Sequence, residues 1–192
     1  MTHRFLYWFI LFIFLLTLTA PTSTVDGDSE TVGVRIFNEG GFHVQNALPG
    51  ETALIDYGTF QWMVIPKADL QWLDATGVSY QAFENPYALA LGGETFNPMQ
   101  FKPDFAGSWG STVREIGPSL HLIQFQGPIK DIWLKMLAGE GLDVLQYIHP
   151  FTYIVWGQPA SVERAAQNWQ VRWTGDFFPA YAVQPENRFL SG

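Results

Sequence analysis

The sequence predicts an α+β protein whose second half, about residues 119–186, is a β-α-β-β-α-β unit. Three observations support this prediction. Apolar runs of strand length occur beside two stretches of helical periodicity, Gly and Pro separate the runs, and the runs follow the order strand, helix, strand, strand, helix, strand. This order is the ferredoxin-like split βαβ pattern. In that pattern the first and third strands lie in the middle of the sheet, so they should be the most continuously apolar.

The unit opens with a strand and a helix joined at Gly127-Pro128. "SLHLIQF" (119–125) is apolar on both faces, as expected of a central strand. Pro128 fits the first helical turn, where its missing N–H costs nothing. The apolar side chains that follow recur at helical spacing and predict one buried face, made of Ile129, Ile132, Trp133, Met136 and Leu137.

A pair of strands follows this helix, which should end at Gly139 and Gly141. "LDVLQYI" (142–148) and "FTYIVWG" (151–157) are the two predicted strands, and His149-Pro150 is the turn between them. The sequence therefore predicts a hairpin at the centre of the unit.

A second helix and a last strand complete the unit. "VRWTG" (171–175) reads as a half-buried strand, because apolar Val171 and Trp173 alternate with polar residues. "PASVERAAQNWQ" (159–170) is the predicted helix, with one face made of Val162, Ala165, Ala166 and Trp169.

A related, partly degenerate α+β unit is predicted over residues 32–96. "VGVRIF" (32–37) is its first strand, and residues 54–89 read as strand, tight turn, strand, helix and strand. "NEGGFHVQNALPGE", where a first helix should lie, is broken by Gly and Pro. Aligning 54–89 with 145–183 sets similar residues opposite one another, in the pairs Phe60–Phe151, Trp62–Tyr153, Val78–Val171, Tyr80–Trp173 and Tyr87–Tyr181.

The first 20 residues have the layout of a secretory signal peptide. Arg4 precedes an apolar run over 5–16, and small residues follow it. A membrane-spanning helix needs about 20 apolar residues, so a cleaved signal is favoured over an uncleaved anchor. No other stretch could cross a membrane. We therefore expect a secreted or extracytoplasmic protein that is free of the membrane after signal removal.

Polar segments flank the two units. Residues 21–31 are small and acidic and read as a flexible tether. Residues 97–118 are rich in Pro, Gly and Ser and are predicted to link the units, and 187–192 form a short tail.

The composition is acidic and lacks cysteine. The formal net charge is −8, which argues against nucleic acid and anionic membranes as partners. Without cysteine the protein cannot be a disulfide scaffold, so its stability must come from burial. Its 8 Trp, 16 Phe and 7 Tyr make an adequate core plausible.

The stretch "FQGPIK" raises the question of a phosphate-binding loop. Such a loop needs several glycines whose N–H groups can point at the anion, and usually a Lys or Ser/Thr on the helix. Here there is one glycine, and the proline removes a donor. The stretch is therefore predicted to be scaffold.

Sequence motifs for catalysis, metal binding or cofactor binding are also missing. His43, His121 and His149 are scattered, and His121 is expected to be a partly buried, hydrogen-bonded residue of a strand. Ser108 and Ser111 lie in a loop without a recognisable base or a Gly-x-Ser-x-Gly elbow. We expect no catalytic residues, no metal ligands and no cofactor.

From Leu120 onwards the sequence resembles the N-terminal prodomain region of secreted bacterial subtilisin-like serine proteases (subtilases). The resemblance rests on the strand ending in "QFQGPI", on Trp133 in the next helix, on the hairpin "YIHPFTYIVW", and on "VRWTGDFFPAYAVQPE". The preceding stretch, from "LIDYGTF" to "GGETFNP", also resembles the segment before that unit. The similarity covers roughly residues 54–187.

The resemblance implies a binding function. In that family the prodomain packs on its protease, helps it to fold, and inhibits it by laying its C-terminal tail through the substrate cleft. Strand addition of this kind gains affinity from main-chain hydrogen bonds. By resemblance the tail here begins near residue 178, and its cleft-binding residues are Pro179, Tyr181, Ala182, Val183 and Gln184.

The chain lacks the Asp, His and Ser segments of the protease's catalytic triad, so it is not expected to be an enzyme. We expect a non-catalytic secreted module whose partner is a subtilisin-like protease domain, in cis in the family and in trans here. It would be a truncated precursor or a free-standing inhibitor or chaperone. The alternative is an exported protein- or glycan-binding interaction module that reuses the same fold.

Overall fold

The computed structural model describes residues 30–38, 54–105 and 117–190, with side chains described up to Asn187. The predicted signal peptide (1–20), most of the predicted tether, and all but the first residue of the Gly- and Pro-broken segment after the first strand lie outside the described residues. So do His43, Ser108 and Ser111.

The described residues fold as α+β structure with three antiparallel sheets. The strands are β1 (Thr31–Phe37), β2 (Ile55–Asp56), β3 (Phe60–Pro66), β4 (Tyr80–Glu84), β5 (Leu89–Leu91), β6 (Glu94–Phe96), β7 (Ser119–Phe125), β8 (Asp143–Ile148), β9 (Thr152–Gly157) and β10 (Val171–Asp176). The helices are α1 (Leu70–Thr76), α2 (Asp131–Gly139), α3 (Pro159–Ala166) and α4 (Pro179–Ala182), with 3₁₀ turns at Lys67–Asp69 and Pro185–Leu190. None of the helices in these ranges is long and apolar enough to cross a membrane.

The first sheet has the strand order β2-β3-β1-β4. One of its faces packs against α1, where Leu73 is fully buried. The α1 helix ends at Gly77, whose φ of +70° is a left-handed conformation that glycine adopts without strain. The buried side chains of β1 and β3 in this cluster are Val32, Val34, Ile36, Met63 and Ile65.

The second sheet has the strand order β10-β7-β9-β8, so the first and third strands of this unit are central. Helices α2 and α3 cover one face, over Ile123, Phe125 and Val155. The β5–β6 hairpin and α4 cover the opposite face, over Leu122. Trp62 of the first sheet belongs to the same core as α2 and α3, so the two units share buried surface.

The two four-stranded sheets have the same strand order when each is numbered from its own first strand. The pairing register also agrees. Tyr80 of β4 lies opposite Ile36, the penultimate residue of β1, and Trp173 of β10 lies opposite Gln124, the penultimate residue of β7. The predicted pair Tyr80–Trp173 therefore occupies matching positions in the two sheets.

The start of α2 differs from the prediction. The helix begins at Asp131, so Pro128 precedes it instead of occupying its first turn. The carbonyl of Pro128 accepts a hydrogen bond from Tyr57 of the first unit, which holds the turn outside the helix. Trp133 is buried as predicted, but the prediction for Ile132 is wrong, since it is 68% exposed. The buried line of α2 runs through Trp133 and Leu137, and Ile132 lies about 100° to one side of it.

The last strand also differs from the prediction. A β-bulge lies between Val171 and Trp173. Val171 therefore packs on the helix side of the sheet and Trp173 on the opposite side. The simple alternation predicted for this strand is wrong, because a bulge inserts an extra residue and changes which face the next side chain points to.

The predicted second helix is shorter than its sequence pattern suggests. The α3 helix ends at Ala166, which is exposed. Trp169 lies beyond the helix and is 63% exposed, with its ring edge-on to Trp133 at 6.1 Å. The predicted burial of these two residues is therefore wrong, while Val162 and Ala165 are buried as predicted.

Candidate functional site

The C-terminal segment that the resemblance assigns to a protease cleft folds back onto its own unit. It forms α4 followed by a 3₁₀ turn, whereas a cleft-binding tail was expected to be extended. Tyr181 is only 8% exposed. Val183 is half-buried and extended, and Pro179, Ala182 and Gln184 are exposed.

Aromatic contacts hold this segment in place. The ring of Tyr181 lies 5.5–6.1 Å from four other rings, those of Phe96, Phe105, Phe177 and Phe178. Phe105 comes from the predicted linker, so the described part of that linker packs against the second unit. Pro185 fits against Gly93, where an added Cβ would lie 2.4 Å from the proline Cγ.

A cavity of about 400 Å³ opens beside α4, at the edge strand β10. We name it the β10 cavity. Its volume lies within the range of small-molecule sites, which are typically apolar with a few convergent polar groups. The apolar wall includes Phe96, Phe101, Trp173 and Tyr181. The polar side chains at the cavity are Lys102, His121, Glu163, Thr174 and Asp176.

Two polar residues that line this cavity, His121 and Asp176, form a cluster with Ser119, which is next to His121 but outside the cavity lining. Ser119 and His121 are two residues apart on β7, so their side chains share a face. Asp176 lies directly opposite His121 on β10. The Ser119 Oγ is 2.9 Å from His121 Nε2, and His121 Nδ1 is 3.5 Å from Asp176 Oδ1.

His121 lies on a strand and is hydrogen-bonded to Ser119, as predicted, but at 5% exposure it is buried and not partly buried. Sequence reasoning missed its two partners. The Ser-x-His spacing on a predicted strand was a usable signal for Ser119. Asp176 could be found only from the pairing of β10 with β7.

Side chains of the first unit fill the space at the Gly127 turn, where the sequence raised the question of a phosphate site. Trp62 Nε1 donates to the Gln126 carbonyl at 3.1 Å, and the Tyr87 hydroxyl donates to the same carbonyl at 2.8 Å. A Cβ on Gly127 would lie 2.5 Å from Trp62 Cδ1. The turn therefore serves as a contact between the two units.

A partly buried polar network lies next to this turn. The Arg172 guanidinium donates to Gln124 Oε1 at 2.8 Å and to Asn97 Oδ1 at 3.1 Å. It also lies 3.8 Å from the centre of the Tyr87 ring. Burial lowers the pKa of Arg172, and neighbouring Tyr87 partly opposes that shift.

Two buried tyrosines predict a loss of stability at alkaline pH. Burial raises the pKa of both Tyr87 and Tyr181 to about 12, although Arg172 pulls that of Tyr87 down. The ordinary tyrosine pKa is about 10. A group whose pKa is higher in the folded than in the unfolded state contributes stability below its ordinary pKa. This contribution is lost as the pH rises through the raised pKa. Stability should therefore fall between about pH 10 and pH 12.

Tyr181→Phe tests this pH dependence, because it keeps the ring and removes the ionisable hydroxyl. Between neutral pH and about pH 11, its Tm should fall less than that of the wild type. Tyr147→Phe, at an exposed ring, is the control and should follow the wild type. An equal fall for Tyr181→Phe and the wild type would contradict the assignment.

Within residues 30–38, 54–105 and 117–190, no group of three or more His, Asp or Glu side chains is arranged to hold a metal ion.

A family model described as a domain of unknown function (DUF8729) matches residues 90–178, slightly less than half of the chain. No curated protein and no solved structure matches the chain. The matched range runs from the β5–β6 hairpin through β10 to Phe178, so this similarity covers most of the second unit and the hairpin that packs on its sheet.

Proposed function

We propose that the chain is an exported module that binds a subtilisin-like protease domain in the manner of a protease prodomain and has no peptidase activity of its own. One structural observation supports the sequence resemblance. The second sheet has the order β10-β7-β9-β8, with α2 and α3 on one face. We assign this arrangement to the ferredoxin-like split βαβ class that the resemblance implies.

The free edge of this sheet offers a docking surface. Strand β8 is the last strand of its sheet, and in the described part of the chain it pairs only with β9. Leu145 and Tyr147 on β8 and Trp156 on β9 are exposed. An unpaired strand edge that carries exposed apolar side chains is suited to pairing or packing with another protein.

We also propose that the first unit is a degenerate copy of the second. The shared strand order and the matching register of Tyr80 and Trp173 support this relation. In this interpretation the first unit supports the second by inserting Trp62 at the Gly127 turn.

Inhibition of a subtilisin-like protease tests the proposal. The purified 21–192 protein should slow substrate turnover. Leu145→Glu should weaken inhibition about tenfold or more, because a charge replaces an apolar contact at the docking edge. Ile132→Glu is the matched control, since Ile132 is equally apolar and 68% exposed but lies on the helix side of the unit. It should inhibit like the wild type.

The tail is tested by truncation after Val183. Removing everything from residue 178 would delete Phe178 and Tyr181 from a buried cluster. A loss of inhibition could then come from unfolding as well as from lost binding. The shorter truncation spares both residues and removes exposed Gln184, so it should weaken inhibition without unfolding the cluster. If no subtilisin-like protease tested is inhibited, including one encoded nearby, the inhibitor role is wrong.

The second candidate is an exported protein- or glycan-binding module. It is favoured by two exposed indole rings, Trp156 and Trp169, since aromatic faces are common in carbohydrate and protein binding sites. Glycan binding that is lost in Trp156→Ala, together with a failure to inhibit proteases, would support this candidate instead.

A further inference from the structure

We propose that Ser119 is a base-activated nucleophile, with His121 as its general base, and that the β10 cavity receives the apolar acyl part of a small carboxylic ester. This activity is separate from the proposed binding of a protease, since it uses the opposite edge of the second sheet from β8.

The order of the three side chains, Ser119, His121 and Asp176, supports the assignment of Ser119 as the nucleophile. The Ser119 Oγ lies within hydrogen-bond distance of His121 Nε2, at 2.9 Å. The Asp176 carboxylate on the other side of the ring, at 3.5 Å from Nδ1, favours the tautomer that carries its proton on Nδ1. That tautomer leaves the Nε2 lone pair free to take the serine proton, which is the arrangement of an activated hydroxyl nucleophile.

The surroundings of the cluster suit this role. His121 is buried, so its ring position is fixed by packing and by partners at both nitrogens. Ser119 is only half-buried at the start of β7, so a small reagent can reach it. Asp176 is partly exposed, and its carboxylate lies 3.5 Å from Nδ1, the ring nitrogen that does not contact Ser119.

The β10 cavity indicates the class of substrate. His121 and Asp176 line it together with the aromatic rings of Phe96, Phe101 and Trp173. These rings favour an apolar acyl or aryl group, and the volume of about 400 Å³ limits it to a small molecule.

The proposed reaction is acyl transfer. Ser119 Oγ attacks the ester carbonyl carbon while its proton passes to His121 Nε2. The bond between that carbon and the alkoxy oxygen then breaks, and the departing oxygen takes the proton from Nε2. The products are an acyl ester on Ser119 and a free alcohol. Water then attacks the acyl carbon and gives a proton to the same nitrogen. The bond between that carbon and Ser119 Oγ breaks, and Oγ takes the proton from Nε2, so the carboxylic acid leaves and Ser119 is restored.

Labelling with an alkyl fluorophosphonate and hydrolysis of p-nitrophenyl butyrate test this proposal. The chain is expressed with its own leader and purified as exported. We expect one adduct per chain, located on Ser119 by peptide mass spectrometry, and none in Ser119→Ala. His121→Gln should slow labelling about 100-fold, the lower end of the usual general-base contribution. Ser79→Ala, at an exposed serine of the first unit, should be labelled like the wild type.

Ser119→Cys keeps the proposal testable if His121→Gln fails to fold. Next to the imidazole, its thiol should react with iodoacetamide at least tenfold faster than the exposed thiol of Ser79→Cys, because a neighbouring histidine promotes the thiolate. Equal rates would overturn the proposal. So would a folded wild type that no fluorophosphonate labels, or labelling that persists in Ser119→Ala. Protease inhibition should be unchanged in Ser119→Ala, which distinguishes this site from the proposed function.

Discussion

Trp62→Ala is expected to lower the free energy of unfolding by about 3–5 kcal/mol, the usual cost of removing a large aromatic side chain from a core. Trp62 is 2% exposed and lies in the core shared by the two units. Its ring fills the space over Gly127, and its Nε1 satisfies the Gln126 carbonyl. The alanine variant loses both the packing and the hydrogen bond.

Trp169→Ala is the matched control for Trp62→Ala. It removes the same side chain from a site that is 63% exposed, where the edge contact with Trp133 is lost. We expect a cost of about 1 kcal/mol or less. Urea denaturation of the two variants measures the difference. Equal losses of stability would show that Trp62 does not join the two units.

Arg172→Met is expected to cost about 3 kcal/mol, because it removes a charged donor from two hydrogen bonds at once. Gln124 is fully buried, so its amide oxygen would be left without the 2.8 Å bond from the guanidinium. The contact with the Tyr87 ring would be lost as well. Chemical denaturation measures this loss.

Two further variants test whether the stability lost in Arg172→Met comes from its hydrogen-bond network. Arg164→Met removes an exposed arginine paired with Glu140, and should cost less than about 1 kcal/mol. Adding Gln124→Leu to Arg172→Met should recover part of the lost stability, since an apolar pair leaves no buried amide oxygen unsatisfied. A similar cost for Arg172→Met and Arg164→Met would contradict the importance of this network.

The elements of the second unit were predictable because each has a local signal. The Gly and Pro turns separate the strands, and Trp133 and Leu137 recur at helical spacing on α2. The bulge in β10 has no such signal. Apolar and polar residues still alternate in the sequence around Arg172. Only the pairing of β10 with β7 reveals that β10 contains one extra residue.

The candidate site was less predictable because it depends on contacts between distant residues. Ser119 and His121 are neighbours on one strand, but Asp176 joins them only through strand pairing. The burial of Tyr181 likewise depends on Phe96 and Phe105, which belong to a hairpin and to a segment that read as a linker. Because α4 has only 4 residues, it is too short for a helical period to show.

Calorimetric titration of a subtilisin-like protease domain with the purified 21–192 protein tests the central claim most directly. We predict a one-to-one complex with a negative heat-capacity change, as expected when apolar side chains such as Leu145 become buried. The complex should weaken with Leu145→Glu and persist with Ile132→Glu. The protein used must be shown to be folded by its spectrum. If no such protease then gives a heat of binding, the proposed binding of a protease domain is contradicted.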